Sequence, residues 1–412
     1  MRAADLFGPF LDTLRTQRLR TALTVLGITW GTTAVVVLLA FGVGLAAQMK
    51  KNAKGIGDGV VILFGGTTTK TFKGFPEGRR IRLTADDADA VRREVRGLDV
   101  VTPEYGRWDT PVRNGTHVGS PLVSGVEPVF SDLRNVIPET GGRFIDGPDL
   151  EGRRRVAVLG DELKTLLFGD APAVGRQVLV GGTPFTVIGV MRKKIQNSSY
   201  SQRDKDRIFI PATTFRSVFG ERHVSQVLFR VKDAAQGERI KQEVYGILGR
   251  RYTFDATDHD AIRMWDTNEQ MKFFNALFLG FNLFLGVVGS FTLVVGGIGV
   301  ANIMYVVVRE RTKEIGVRRA LGATRRSILT QILLETFVIV AVGAVLGVLV
   351  SFGLVAAASL IPMQDQVGTP TISPLVMIAT LALLGLIAFL SGLFPARRAA
   401  NLDPVECLRY TG

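Results

Sequence analysis

The chain has 412 residues, 47% of them hydrophobic, a positive mean hydropathy and a formal charge of +13. That is more apolar material than one water-soluble domain needs to bury, and it points to a mixed membrane and aqueous architecture. A single cysteine, Cys407, excludes an intrachain disulfide and argues against thiol redox chemistry.

Residues 1–20 place Leu6, Phe7, Phe10, Leu11 and Leu14 on one side of a helix and Asp12, Arg15 and Gln17 elsewhere. This pattern suits a helix lying in the membrane interface, the alternative being a plain extension of the first span. No charged residue occurs from Thr21 to Met49, Phe273 to Val308, Thr336 to Gln364, or Gln366 to Ala396. Each run exceeds the roughly 20 residues that cross a bilayer. Four transmembrane helices are therefore expected, at 21–49, within 271–308, at 327–361 and at 375–396, with a short extracytoplasmic loop at 362–374 and a tail at 397–412. The first is too long for the apolar core of a signal peptide, despite the small residues Leu45-Ala46-Ala47. The second run, at 36 residues, overshoots the bilayer, and its outer end is expected to continue as a stalk below an external domain.

Fourteen basic residues lie in the N-terminal flank, in the connection at 309–326 and in the tail, against six acidic ones. The connection between the third and fourth spans has no basic residue. Both termini and the 309–326 connection are therefore expected to be cytoplasmic. The region from Lys50 to Glu269 carries 35 basic and 29 acidic residues, a mixed surface, so the net charge is a matter of topology and nucleic-acid binding loses its support.

Residues 50–270 are expected to form an extracytoplasmic α+β domain of two subdomains. VVILF, RVAVLG, RQVLV, PFTVIGVM, DRIFIP and SQVLFRV have strand composition and are separated by Gly/Pro turns. TADDADAVRREVRG and AAQGERIKQEVYGILGRR have helical character, the first with Thr84 as N-cap and Asp86 and Asp87 in its first turn. FGGTTTKTFKGFPEGRR, rich in Gly, Thr and Lys, is expected to be the most flexible part, a loop or a mobile insertion.

Catalytic constellations are missing from the sequence. The three histidines, His117, His223 and His259, are far apart and lack metal-ligand spacing. No Gly-x-Ser-x-Gly elbow occurs, and Gly42-x-Gly44-x-x-Ala47 lies at the end of a span with no βαβ unit after it. The dipeptide Gly-Lys is absent, so these residues contain no phosphate-binding loop of the Gly-Lys-Ser/Thr type. No catalytic, cofactor or metal residue is assigned, and any use of ATP and Mg would have to be supplied by another polypeptide.

Within the spans, Asn282, Asn302 and Glu335 are polar groups in apolar surroundings. Such groups are functional candidates by default, the simpler reading for Glu335 being an anchor to Arg325 or Arg326. The small pairs Gly27/Gly31, Gly297/Ala301 and Gly343/Gly347 permit close helix packing, within a protomer or between two.

The connection RERTKEIGVRRALGATRRSIL reads as a short helix from Lys313 to Leu321, stopped by Gly322, with Thr324 capping the next helix. Ile315, Val317, Leu321 and Ala323 supply apolar groups beside Arg318 and Arg319. An exposed Ile and Leu next to arginines suit docking into a groove of a cytoplasmic protein, with membrane-surface anchoring as the alternative.

VRERTKEIGVRRALGATRRSILTQILLE, the entry RLRTALTVLGITWG, the external GGRFIDGPDLEGRRRVAVLGDELKTLLFGDAPAVGRQVLVGGTPFTVIGVM and the tail FPARRAANLDPVECLRY together resemble the MacB-like/FtsX-like ABC permease family, in order and over almost the whole chain. The resemblance implies a non-catalytic, dimerising four-helix permease of the bacterial inner membrane with a bilobed periplasmic core domain. It also implies an ABC ATPase gripping the 309–326 connection as a coupling helix, through Glu314, Ile315, Gly316, Arg318, Arg319, Leu321, Gly322 and Ala323. Because the chain begins at the amphipathic segment, a separate ATPase subunit is expected. A periplasmic adaptor with an outer-membrane duct is a further partner the family uses. The expected role is mechanotransmission for export of antibiotics, peptides or other periplasmic cargo. Regulation of an external hydrolase and release of lipoproteins are the rival readings within the same topology.

Overall fold

The computed structural model describes residues 18–57, 59–194, 196, 199–361, 368–403 and 407. The expected interfacial helix up to Gln17, six residues of the 362–374 loop and most of the tail past Asp403 lie outside the described residues. Met49–Phe274 form one compact unit, and the remainder a second.

The first unit is built on eleven strands: β1 (Val60–Gly65), β2 (Leu98–Arg107), β3 (Val112–Asn114), β4 (His117–Gly119), β5 (Val123–Val126), β6 (Val156–Leu159), β7 (Gln177–Val180), β8 (Thr183–Val190), β9 (Ile208–Pro211), β10 (Gln226–Val231) and β11 (Ile262–Asp266). They form one sheet in the order β11-β1-β10-β2-β5-β9-β6-β8-β7-β3-β4. Successive side chains alternate between its faces. Val61 and Leu63 of β1 and Ile208 and Ile210 of β9 enter one core, while Val60, Ile62 and Phe209 enter the other. Helices Ala85–Glu94 and Gly237–Tyr252 cover the first face with Ala88, Val91, Ile240 and Leu248. Phe130, Leu133 and Val136 close the second.

The two expected lobes share this sheet, joined at β2. Its residues from Leu98 to Glu104 pair with β10, and Tyr105 to Arg107 pair with β5. Glycine is required at 125 because a Cβ there would stand 2.6 Å from Phe215 Cβ, where helix Ala212–Phe219 crosses β5.

The FGGTTTKTFKGFPEGRR segment is pinned rather than loose. Thr67 bridges Arg80, and the Asp258 carboxylate accepts the Thr69 and Lys70 amides at 2.7 and 3.1 Å. Arg79 donates to the carbonyls of Tyr252 and Thr253. Its Gly/Thr composition reflects tight turns held by side chains, not freedom. Thr84 occupies the N-cap position as expected, and its amide and hydroxyl both donate to the Asp87 carboxylate, at 2.8 and 3.1 Å.

A charged cluster lies buried beside the sheet. Arg134 donates to Asp204 at 3.1 Å, Arg207 to Glu104 at 2.9 Å, and Lys194 lies 2.7 Å from Asp204. The Tyr200 hydroxyl also donates to Glu104. Burial alone would raise the Asp204 carboxyl, but Arg134, Lys194 and Arg207 outweigh it and hold it at about 2. Burial pushes the Lys194 ammonium down to about 8, more than Asp204 lifts it.

Among the described residues, four helices are long and apolar enough to cross a membrane, most of their length lying in the second unit, with a short helix between the second and third. The first runs Arg18–Ile56, the second Thr267–Glu310 without a break, the third Arg325–Ala358 and the fourth Pro374–Ala400. The second has 44 residues, and at the standard rise that is about 66 Å.

Glycines decide where these helices meet. A Cβ on Gly343 would lie 2.8 Å from Ile28 Cβ, and one on Gly347 2.6 Å from Thr32 Cβ. Thr29 and Thr33 donate to the carbonyls of Gly343 and Gly347 at 3.2 and 3.1 Å, so this pair binds the third helix to the first. A Cβ on Gly31 would lie 3.0 Å from Leu293 Cδ2 of the second helix, and one on Gly297 2.4 Å from Ile387 Cγ2 of the fourth. Gly343, Gly347, Gly31 and Gly297 are thus occupied by contacts within the protomer. Ala301 is half-buried, and at Gly27 a Cβ would meet nothing within 4 Å.

Candidate functional site

The short charged helix spans Thr312–Ala320. Gly322 ends it with φ +99°, and Ala323 N–H reaches back to the Arg318 carbonyl at 3.0 Å. A Cβ at Gly322 would meet nothing within 4 Å, so the requirement for glycine is one of backbone conformation. Thr324 then caps the third helix, its hydroxyl accepting from Ser327 N–H at 3.2 Å. A glycine stop two residues before a threonine start fixes the angle between the two helices.

Beneath the helix five polar side chains close a ring. Arg311 Nη1 donates to both oxygens of buried Glu335 at 3.1 and 3.0 Å, and its Nε donates to Glu314 at 3.1 Å. Arg318 donates to Glu314 at 2.6 Å and to Gln331 at 2.8 Å, and Gln331 donates to Glu335 at 3.1 Å. The partner of Glu335 is therefore Arg311, not Arg325 or Arg326. Those two lie in the exposed first turn of the third helix, whereas Arg311 sits at the junction of two helices and points inward.

The same helix is tied elsewhere. Arg319 donates to the Ala400 carbonyl at 2.6 Å, satisfying an end of the fourth helix that would otherwise lack a partner. Gly316 lies against the tail, where a Cβ would come within 2.4 Å of Cys407 Cβ. Ile315, expected on the exposed side, is instead 7% exposed and belongs to the same core as Ile328 and Ile332.

The outward face holds Lys313, Val317, Ala320, Leu321 and Gly322, with Leu321 83% exposed. Glu314, Arg318, Arg319 and Ala323 are half-buried at its edges. Of the eight residues singled out on the sequence, two point into the protomer, two are fully outward and four sit between. Arg311 and Gln331 were missed. The i,i+4 pairs Glu314/Arg318 and Gln331/Glu335 were visible signals, but the closure of the ring through Arg311 is a tertiary contact.

Of the polar groups in the spans, Asn282 Oδ1 is buried without a hydrogen-bond partner among the described residues, against Gly42. Asn302 is exposed, with no hydrogen bond among the described residues.

Comparison with known proteins assigns both units. The MacB-like periplasmic core domain matches residues 21–246, and the FtsX-like permease C-terminal matches residues 277–404. A macrolide export ATP-binding/permease protein MacB of Bdellovibrio bacteriovorus is 31% identical over 97% of this chain and 60% of its own. A second, from Paracoccus denitrificans, is 33% identical over 99% of this chain and 59% of its own. The chain thus spans about 60% of the length of these relatives. The crystal structure of the periplasmic region of MacB from Actinobacillus actinomycetemcomitans is 17% identical, with a TM-score of 0.43, over 55% of this chain and 96% of that one. With family matches covering both the sheet unit and the helical unit, the chain belongs to the MacB-like/FtsX-like family of ABC transporter permeases of the bacterial inner membrane.

Proposed function

We propose that this permease is a mechanotransmitter: a separate ABC ATPase docks on the outward face of Thr312–Ala320 as on a coupling helix, and its ATP-driven motion is carried to the extracytoplasmic sheet unit. The observation that supports this best is the combination of an exposed apolar face, Val317 and Leu321, with a helix anchored on its inner side by the Arg311–Glu314–Arg318–Gln331–Glu335 ring and by Arg319. A displacement of the handle is passed directly to the third and fourth helices, because a closed polar network leaves little slack. Both termini and the handle face the cytoplasm, and the ATP-hydrolysing residues lie outside these 412 residues. Two such permeases form the working dimer, and a periplasmic adaptor leading to an outer-membrane duct receives the cargo, an antibiotic, peptide or other periplasmic compound.

Leu321→Asp and Val317→Asp test the docking. Burying Leu321 against a partner contributes about 2 kcal/mol, so either variant weakens the ATPase complex by roughly tenfold or more without unfolding the permease. Complexes of undiminished affinity and undiminished transport in co-reconstituted vesicles would remove the docking face from this reading.

A further inference from the structure

We propose that the sheet unit binds a small compound carrying two phosphate groups, one in each of two adjoining basic hollows beside the join of the sheet at β2. The first hollow, of about 420 Å³, is lined by Arg153, Arg216 and Arg222, and the second, of about 300 Å³, by Arg80, Arg82 and His223. Glu221 lines both, so the two hollows meet there. None of the five guanidiniums makes a hydrogen bond, an ion pair or a ring contact among the described residues, and Glu221 forms no ion pair with them. Helix Ala212–Phe219 ends at Gly220 with φ +64°, and the chain then turns back along the sheet. There Val224 N–H donates to the Leu83 carbonyl and Ser225 N–H to that of Glu104, both at 2.9 Å. That run carries Glu221, Arg222 and His223 between Arg216 on one side and Arg80 and Arg82 on the other, beside Gly106 of β2. Arg153 joins them from a left-handed backbone, φ +47°, a conformation uncommon outside glycine.

Five arginines gathered round one carboxylate repel one another, and with His223 neutral the described lining carries a net charge of +4. The hydroxyls of Thr213, Ser217 and Ser225 already donate to backbone carbonyls, so the guanidiniums supply the free donors. Guanidiniums hold phosphate oxygens through paired N–H groups. Two phosphate monoesters bring about −3 to −4, which matches the lining, whereas two carboxylates fall well short of it. Hollows of this size suit a small molecule rather than a folded partner. His223 keeps its Nδ1 without a hydrogen-bond partner, so the second hollow also has a polar ring atom that the fold does not use. All of these residues belong to the sheet unit, and the assignment therefore stands apart from the docking of an ATPase.

Isothermal titration of the full chain, in phosphatidylcholine nanodiscs at low salt, tests this with fructose 1,6-bisphosphate and fructose 6-phosphate. The bisphosphate is expected to bind at least about tenfold more tightly, because binding of one phosphate delivers the other to the adjoining hollow. Arg216→Gln/Arg222→Gln is expected to weaken the bisphosphate by roughly tenfold or more, and Arg80→Gln/Arg82→Gln to lower it to the affinity of the monophosphate. The corresponding lysine pairs are expected to keep part of the affinity, and an unchanged thermal midpoint in every variant separates loss of the site from loss of the fold. Displacement of the bound bisphosphate by phosphatidic acid vesicles, and not by phosphatidylcholine vesicles, supports the same phosphate chemistry with a lipid headgroup as its source. Lack of displacement by either supports a soluble ester. No binding of the bisphosphate, equal affinity for the two sugar phosphates, or an affinity that survives both double glutamine variants overturns the proposal. So does tighter binding of hexaglutamate, which would assign the hollows to an acidic protein segment.

Discussion

Glu335 illustrates how a single buried charge sets local stability. Its side chain is 2% exposed and that of Arg311 is 11% exposed, so neither is satisfied by water. Glu335→Gln leaves Arg311 with only Glu314 as counter-ion, and breaking a buried pair in this way is expected to cost about 3 kcal/mol. Replacing both, as Arg311→Met with Glu335→Leu, is expected to recover most of that loss, because an apolar pair needs no counter-ion. Thermal unfolding of the purified permease carrying each single and the double replacement gives the coupling; strictly additive losses would mean that the two side chains do not act as a pair. The sheet unit offers a titration at the same scale. Lys194 has its proton affinity lowered by burial to about 8, against an ordinary value near 10.4 in the unfolded chain. Between those values the folded state binds fewer protons, so this group makes stability rise with pH by on the order of 2 to 3 kcal/mol from pH 8 to 10.5. Asp204 works in the opposite range, its contribution present above about pH 4 and lost as pH falls toward its folded value of about 2. Trp265 packs edge-on to Tyr200 of this cluster at 6.4 Å. Its fluorescence, with Trp30 and Trp108 replaced by Phe, therefore reports denaturant unfolding. Lys194→Met is expected to flatten the alkaline rise and to reduce the acid loss without abolishing it, because Arg134 and Arg207 still hold the Asp204 carboxyl down.

At the scale of elements, the proposed coupling role predicts that docking and transmission can be separated on the short helix. Arg319 lies at the edge of the outward face but its guanidinium is committed to the Ala400 carbonyl. Arg319→Ala is therefore expected to leave ATPase binding within about twofold of the parent, as for a rim charge, while lowering transport per ATP hydrolysed several-fold. Equal losses in binding and in coupling would place Arg319 in the interface itself. The bounds of this helix were legible in the sequence because its stop and the next start depend on local chemistry, Gly322 at positive φ and the Thr324 cap. The strand-forming runs were legible for the same reason, through β-branched composition bounded by turns. By contrast β2 was not, since Pro103 and Gly106 within LDVVTPEYGR interrupt the apolar pattern, and its role as the join between two halves of the sheet is set by pairing with β10 and β5. The direction of Ile315, the ring through Arg311 and the pinning of the Thr67–Arg80 segment by Asp258 depend on residues distant in sequence. No local pattern carries such contacts.

For the whole molecule, the reading depends on the handle and the sheet unit lying on opposite sides of one membrane. The charge distribution argues for it: the short helix lies in a stretch with seven basic residues between Arg309 and Arg326, and the sheet unit carries nearly balanced charge. The chain is well suited to a direct test because Cys407 is its sole cysteine and is buried. Cys407→Ser provides a background in which Leu321→Cys and Gly115→Cys each introduce one exposed thiol, the first on the outward face of the handle and the second at the turn between β3 and β4. Serine at 407 preserves the volume that Gly316 accommodates, so the handle keeps its seat. A membrane-impermeant maleimide added to intact cells is expected to label the cysteine at 115 at least about tenfold more than the one at 321, once the outer barrier is made permeable. Disruption of the inner membrane is expected to make the two equal, since both sites are exposed on the folded chain. Labelling of position 321 from the outside would invert the topology, and an ATPase confined to the cytoplasm would then have no handle to hold, because charge bias within short flanks is the physical basis of the whole orientation.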